Sequence, residues 1–106
     1  MEELNKKIAE WLGEHWIEGR GKYLNTQYTD SFDTCLEYIL PKLEKGGFRF
    51  HLWHVRRGWC VNLTWLEDIG YKRRQRVTNG KYESVAETAA LAFCLAVEKL
   101  IDGENK

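Results

Sequence analysis

The stretch FRFHLWHVRRGWCVNLTWL, residues 48–66, decides the fold. Two runs rich in aromatic and β-branched residues, Phe48 to Val55 and Trp59 to Leu66, flank Arg56-Arg57-Gly58, and this arrangement reads as a β-hairpin with a tight turn. In the first run Phe48, Phe50 and Leu52 alternate with Arg49, His51 and Trp53. In the second, Trp59, Val61, Leu63 and Trp65 alternate with Cys60, Asn62 and Thr64. A period of two sends alternate side chains to opposite faces, so one face rests on a core and the other is wetter.

Beyond the hairpin, residues 67–80 are polar and carry Lys72, Arg73, Arg74 and Arg76 ahead of Val77 and the turn signal Asn79-Gly80. They predict a third, edge strand or a long hairpin excursion, whose register the sequence does not set. Ser84 with Glu87 three residues later reads as a capping box and predicts a helix running to about Ile101. Its buried stripe is Ala89, Phe93, Ala96, Val97, Leu100 and Ile101, with alanines that allow close approach to the sheet.

On the other side of the hairpin, Leu4, Ile8, Trp11 and Leu12 follow helical spacing, so Glu2 to Leu12 reads as an amphipathic helix ending at Gly13. Residues 14–28 show no sustained period and read as a loop that Trp16, Tyr23 and Tyr28 pin to the body. Thr29-Asp30-Ser31 with Asp33 supplies side-chain oxygens and negative charge for a helix start near Ser31, with an apolar face of Phe32, Cys35, Leu36, Ile39, Leu40 and Leu43. Pro41, the single proline, should kink that helix or restart it as a final turn, and Gly46-Gly47 stops it. The expected architecture is α+β: a three-stranded antiparallel sheet packed with three helices in the order α-α-β-β-β-α. Residues 1–102 form one domain and 103–106 a polar tail.

Composition narrows the classes of function. The 106 residues suffice for one core, and with 43% hydrophobic and 13% aromatic content they carry ample apolar surface to order the backbone. Sixteen basic and sixteen acidic residues cancel, so no overall field draws the molecule to a polyanion, and any basic patch must be local. Cys35, Cys60 and Cys94 are odd in number and set in apolar stretches, which suits free thiols in a reducing compartment. No secretory leader or membrane-length apolar run is visible. A cytoplasmic location without membrane contact is expected.

The candidate chemistry is sparse. His51 and His54, three apart on a strand, point to opposite faces and cannot share a metal without a bulge, and Cys60 nearby lacks zinc-type spacing. No nucleophile elbow is present, Gly19-Arg20-Gly21-Lys22 lacks the Lys-Ser/Thr ending of a phosphate loop, and Glu67 and Asp68 fit a solvated turn. We assign no catalytic residue, metal or cofactor, and expect no enzyme. Two binding surfaces remain. One is an aromatic face comprising Trp53, Trp59, Trp65 and Tyr71; the other is a basic cluster of Arg56, Arg57, Lys72, Arg73, Arg74 and Arg76, which could hold phosphates beside aromatic rings or simply charge an edge strand against aggregation.

The order helix, three strands, helix from about Phe32 to Ile101 superficially resembles a double-stranded RNA binding domain. That family grips phosphates with lysines at the start of its last helix, whereas Ser84-Val85-Ala86-Glu87 offers no base. The opening Leu4-Asn5-Lys6-Lys7-Ile8-Ala9-Glu10-Trp11-Leu12-Gly13, then Tyr28-Thr29-Asp30-Ser31-Phe32-Asp33, and finally residues 86–96 resemble the phage ABA-sandwich family of small phage and prophage proteins. The resemblance implies a helix-sheet-helix architecture and a phage or prophage origin, hence the host cytoplasm, with no activity or catalytic residue to carry over. The expected role is a non-enzymatic accessory domain that binds a second copy of itself, a host protein or a small ligand. The alternative is weak nucleic-acid binding through the basic cluster.

Overall fold

The hairpin forms where the alternation predicts it. In the computed structural model, which describes residues 2–14, 25–69, 72–76 and 80–104 (backbone alone at 66–69, 72–76 and 104), β1 spans Phe48–Val55 and β2 spans Gly58–Ile69. The strands pair antiparallel from Phe48 opposite Trp65 to Val55 opposite Gly58, leaving Arg56 and Arg57 as the two-residue turn. Gly58 has φ of +139°, and a Cβ there would sit 2.2 Å from the Ala86 carbonyl oxygen, so this position requires glycine.

The other edge of β2 is shared end to end by two strands. β3, Lys72–Arg76, pairs with Trp65 to Ile69, and β4, Glu83–Ala86, pairs with Trp59 to Asn62. The sheet is thus antiparallel and three positions wide. Here the structure corrects the reading of Ser84 and Glu87 as a capping box: residues 83–86 are strand, because the free edge of β2 needs hydrogen-bond partners and an alternating Glu-Ser-Val-Ala segment can supply them. The last helix, α4, spans Ala89–Glu104, begins after Thr88, whose hydroxyl accepts from the Leu91 N–H at 3.1 Å, and runs past the expected end of the domain at residue 102.

Three further helices precede the sheet: α1 at Glu2–Leu12, α2 at Phe32–Tyr38 and α3 at Leu40–Lys45. Ser31 caps α2 by accepting from the Thr34 N–H. Pro41 falls in the first turn of α3, where its missing N–H interrupts no helical bond, so the helix restarts there and one expected element becomes two. The fold is therefore α+β.

α4 lies on the sheet and is covered on its far side by α1, α2 and a 3₁₀ turn at Tyr28–Asp30. A helix flanked on two sides must be apolar nearly all round. Accordingly Ala90, Ala92 and Cys94 are buried along with the expected Phe93, Ala96, Val97, Leu100 and Ile101. Phe93 meets the rings of Phe32 and Phe50 edge to face at 5.8 and 5.3 Å, joining helix, sheet and α2 in one core. Tyr28, fully buried, anchors the end of the first loop as expected of it.

Two polar links hold α1. Buried Asn5 donates to Thr29 Oγ1 at 3.2 Å and accepts from the Thr29 N–H at 3.1 Å, and Lys7 bridges Glu98 and Asp102 of α4 at 3.2 and 3.1 Å. Hydrogen bonds to Asp102 and Glu98 raise the Lys7 pKa. Among the described residues no helix is long and apolar enough to cross a membrane.

Candidate functional site

The pairing register sorts every sheet residue to one of two faces. Toward α4 point Phe48, Phe50, Leu52, Val61 and Leu63, with Trp59 and Trp65 at the two ends of this face, packed part-buried against the core. Away from the helices point Arg49, His51 and Trp53 of β1, Cys60, Asn62 and Thr64 of β2, and Glu83 and Val85 of β4. On this open face Trp53, Cys60 and Val85 stand side by side in one row across the three strands. Trp53 is 41% and Val85 51% exposed, which is unusual for such large apolar groups in a core-forming sheet.

Of the expected aromatic face, the three described residues do not come together. Trp53 is on the open face, whereas Trp59 and Trp65 are on the covered one, because an antiparallel partner shares its neighbour's face and Trp53 lies opposite Cys60. Tyr71 falls outside the described residues, as do Trp16, Tyr23, Gly19-Arg20-Gly21-Lys22 and Asn79. Val85, which completes the exposed row, escaped the sequence reading because it was assigned to a helix start. The alternation of Glu83, Ser84 and Val85 was the available signal.

The basic cluster is divided as well. Arg56 and Arg57 occupy the turn beside Gly58, while β3 begins opposite Ile69 and ends with Arg76 opposite Trp65. Seven strand steps of about 3.3 Å set the two groups roughly 23 Å apart along the sheet. The register further sets Arg74 opposite Glu67 and Arg73 opposite Asp68, so half of the cationic positions of β3 face acidic ones. The six basic positions thus form no single surface.

All three thiols are free and buried. Cys60 is only 3% exposed, and burial, followed by the Glu83 carboxylate, raises its pKa, opposite to the shift an activated nucleophile needs. Cys35 donates to the Tyr28 carbonyl at 3.1 Å and touches Cys94 Sγ at 3.7 Å; that contact and burial push the Cys94 thiol well up. His51 Nε2 lies 3.4 Å from Thr64 Oγ1 on the open face, and His54 stacks edge to face on Trp59 at 5.0 Å on the other. The two imidazoles are separated by the sheet, and among the described residues no three His, Cys, Asp or Glu side chains gather as a metal site would. A groove of about 430 Å³ between the start of α1 and α4, lined by Glu2, Glu3, Leu4, Leu95 and Glu98, presents carboxylates but no nucleophile or base pair.

What the arrangement offers is a mixed sheet surface: Trp53 and Val85 exposed in one row, with Arg49 and His51 exposed beside Trp53 and Asn62 half-buried. Such a surface can hold another macromolecule by area and shape. No family model matches the chain, and no curated protein and no solved structure matches it.

Proposed function

We propose that the chain is a non-enzymatic accessory binding domain, of the phage or prophage type its resemblance implies, that holds a partner protein on the open face of its sheet. One observation carries this reading: Trp53 and Val85 stay 41% and 51% exposed on either side of Cys60. Leaving such groups in water forgoes burial worth about 25 cal/mol per Å² of apolar surface, and a partner that covers them recovers it. Tryptophan is also among the residue types that most often dominate a protein contact, and Arg49 and His51 beside it supply a polar rim. A protein partner fits better than a small ligand, since the row lies on the open face of a sheet and small molecules favour concave sites.

A photo-crosslinking residue placed at Val85, and a control at exposed Glu44 on α3, test the reading in cells that carry the protein. The expected result is a discrete adduct from position 85 that position 44 does not give, reduced about tenfold or more by Trp53→Ser, the scale of an interface hot spot. Equal labelling at both positions, or an adduct indifferent to Trp53→Ser, would overturn it.

A further inference from the structure

Among the described residues the outer edge of β1 pairs with no other strand, a feature apart from the face described above. β1 pairs with β2 along all eight of its residues and without a skipped position. In an antiparallel ladder only alternate residues bond to a given neighbour. The two-residue turn makes Val55 and Gly58 the closing bonded pair, and Leu63 donates to Tyr82 on the opposite side, so odd residues of β2 face away from β1. It follows that Phe48, Phe50, Leu52 and His54 turn their N–H and C=O groups to the free edge. Within the strand that edge has no proline, no bulge and no lysine, and Arg49 is its single arginine.

We infer that two copies pair through β1, antiparallel, about a twofold axis at His51. Outward-facing residues must meet outward-facing residues, so even numbers pair with even numbers. The register that uses the strand from Phe48 to His54 sets Phe48 opposite His54, Arg49 opposite Trp53 and Phe50 opposite Leu52, each with the second copy. Every pair in that register is compatible. Phe50 and Leu52 share the covered face and extend the core; Arg49 comes beside the exposed Trp53 ring of the second copy, where a guanidinium stacks well. The chain is formally uncharged, so two copies meet without net repulsion. Repeated by symmetry, the contact closes at two and joins the sheets into one six positions wide.

Single-cysteine trapping in the full chain tests this register. At the axis His51 would meet His51 of the second copy as a non-hydrogen-bonded pair, with Cα atoms ~4.5 Å apart, within the range a disulfide spans. His51→Cys is therefore expected to crosslink to itself under mild oxidation. Arg49→Cys and Trp53→Cys should each stay uncrosslinked alone and crosslink when mixed. Cys60 lies opposite position 53, so all trapping variants also carry Cys60→Ser, and the two other native thiols are buried and serve as background. Light scattering of the unmodified protein should give twice the 12.5 kDa chain mass. A monomer at the highest soluble concentration, a dimer in which His51→Cys does not crosslink, or self-crosslinking at Trp53→Cys would each overturn the pairing. Val85 lies two strands from this edge, so an adduct there with a different protein would leave the open-face reading standing if the dimer failed.

Discussion

The two faces of the sheet differ at the strands that flank β2 rather than at β2 itself. In the middle strand Val61 and Leu63 are buried beneath α4, and on the other face Cys60 and Thr64 are buried too, yet Trp53 and Val85, on either side of Cys60, stay 41% and 51% exposed. The face under α4 is apolar at every alternate position of β2, whereas the other mixes Cys60 with Asn62 and Thr64. What separates them is a second layer, and that layer is supplied by a helix that starts nearly thirty residues later in the chain. Alternation therefore identifies a strand, but burial is set by long-range packing.

The covered face should be the one whose disruption is most costly. Phe93 is fully buried and touches the rings of Phe32 and Phe50. Phe93→Ala is expected to lose about 3–5 kcal/mol of stability in urea unfolding, a large part of the whole for a domain of this size. A loss below ~1 kcal/mol would mean that the core lies elsewhere.

The edge shared by both faces comes next. Gly58→Ala would press a Cβ against the Ala86 carbonyl in a backbone region that L side chains avoid. It should cost about 1–3 kcal/mol. Its signature is local: if β4 is displaced, the Leu63 amide, bonded to Tyr82, exchanges faster with solvent than the amides β2 shares with β1. Uniform acceleration across the sheet would contradict a local role for Gly58.

How much of this was legible in the sequence follows from the same distinction. Local rules located α1, the Ser31 cap, the Pro41 interruption and the hairpin, because each depends on residues a few positions apart. They misplaced the start of α4, since Ser84 and Glu87 satisfy a capping pattern while the strand pairing that overrides it comes from β2, more than twenty residues away. The open row suffered for the same reason. Trp53 was legible as a strand residue, but its neighbour Val85 needed the β4 register, and the separation of Trp53 from Trp59 and Trp65 needed the β1 register. Buried Asn5, polar and on the face that meets the 3₁₀ turn, gave no apolar signal.

The outer layer, remote from both faces, gives a smaller effect with a pH signature. Tyr28 is buried and its hydroxyl donates to Glu14; burial first, then that carboxylate, raises its pKa above the ordinary value of 10.0. Below pH 10 the phenol is neutral in both folded and unfolded chains, so its contribution is fully present. Above it the unfolded chain ionises first, and stability falls as pH rises toward the folded pKa. Tyr28→Phe should cost about 0.5–1.5 kcal/mol near neutrality, the net worth of one hydrogen bond. Urea titrations between about pH 8 and pH 11 should show a shallower alkaline decline in the variant. Parallel declines would mean that the phenol ionises as easily folded as unfolded.

The smallest expected effect sharpens the comparison of faces most, because one chemical change can be made on each. Valine and threonine have nearly the same shape and both suit strands, so Val→Thr exchanges a methyl for a hydroxyl and little else. At Val61, fully buried under α4, the hydroxyl arrives in an apolar site and should cost about 1–3 kcal/mol. At Val85, half in water on the open row, it is solvated, and the change should stay within about 0.5 kcal/mol. If Val85→Thr cost as much as Val61→Thr in the isolated chain, something in the molecule would already cover the open face, and the surface assigned to a partner would be part of the core. If it is neutral for folding yet weakens the adduct formed by a crosslinker at Trp53, the exposed row is separated from the fold it stands on, as a contact surface should be.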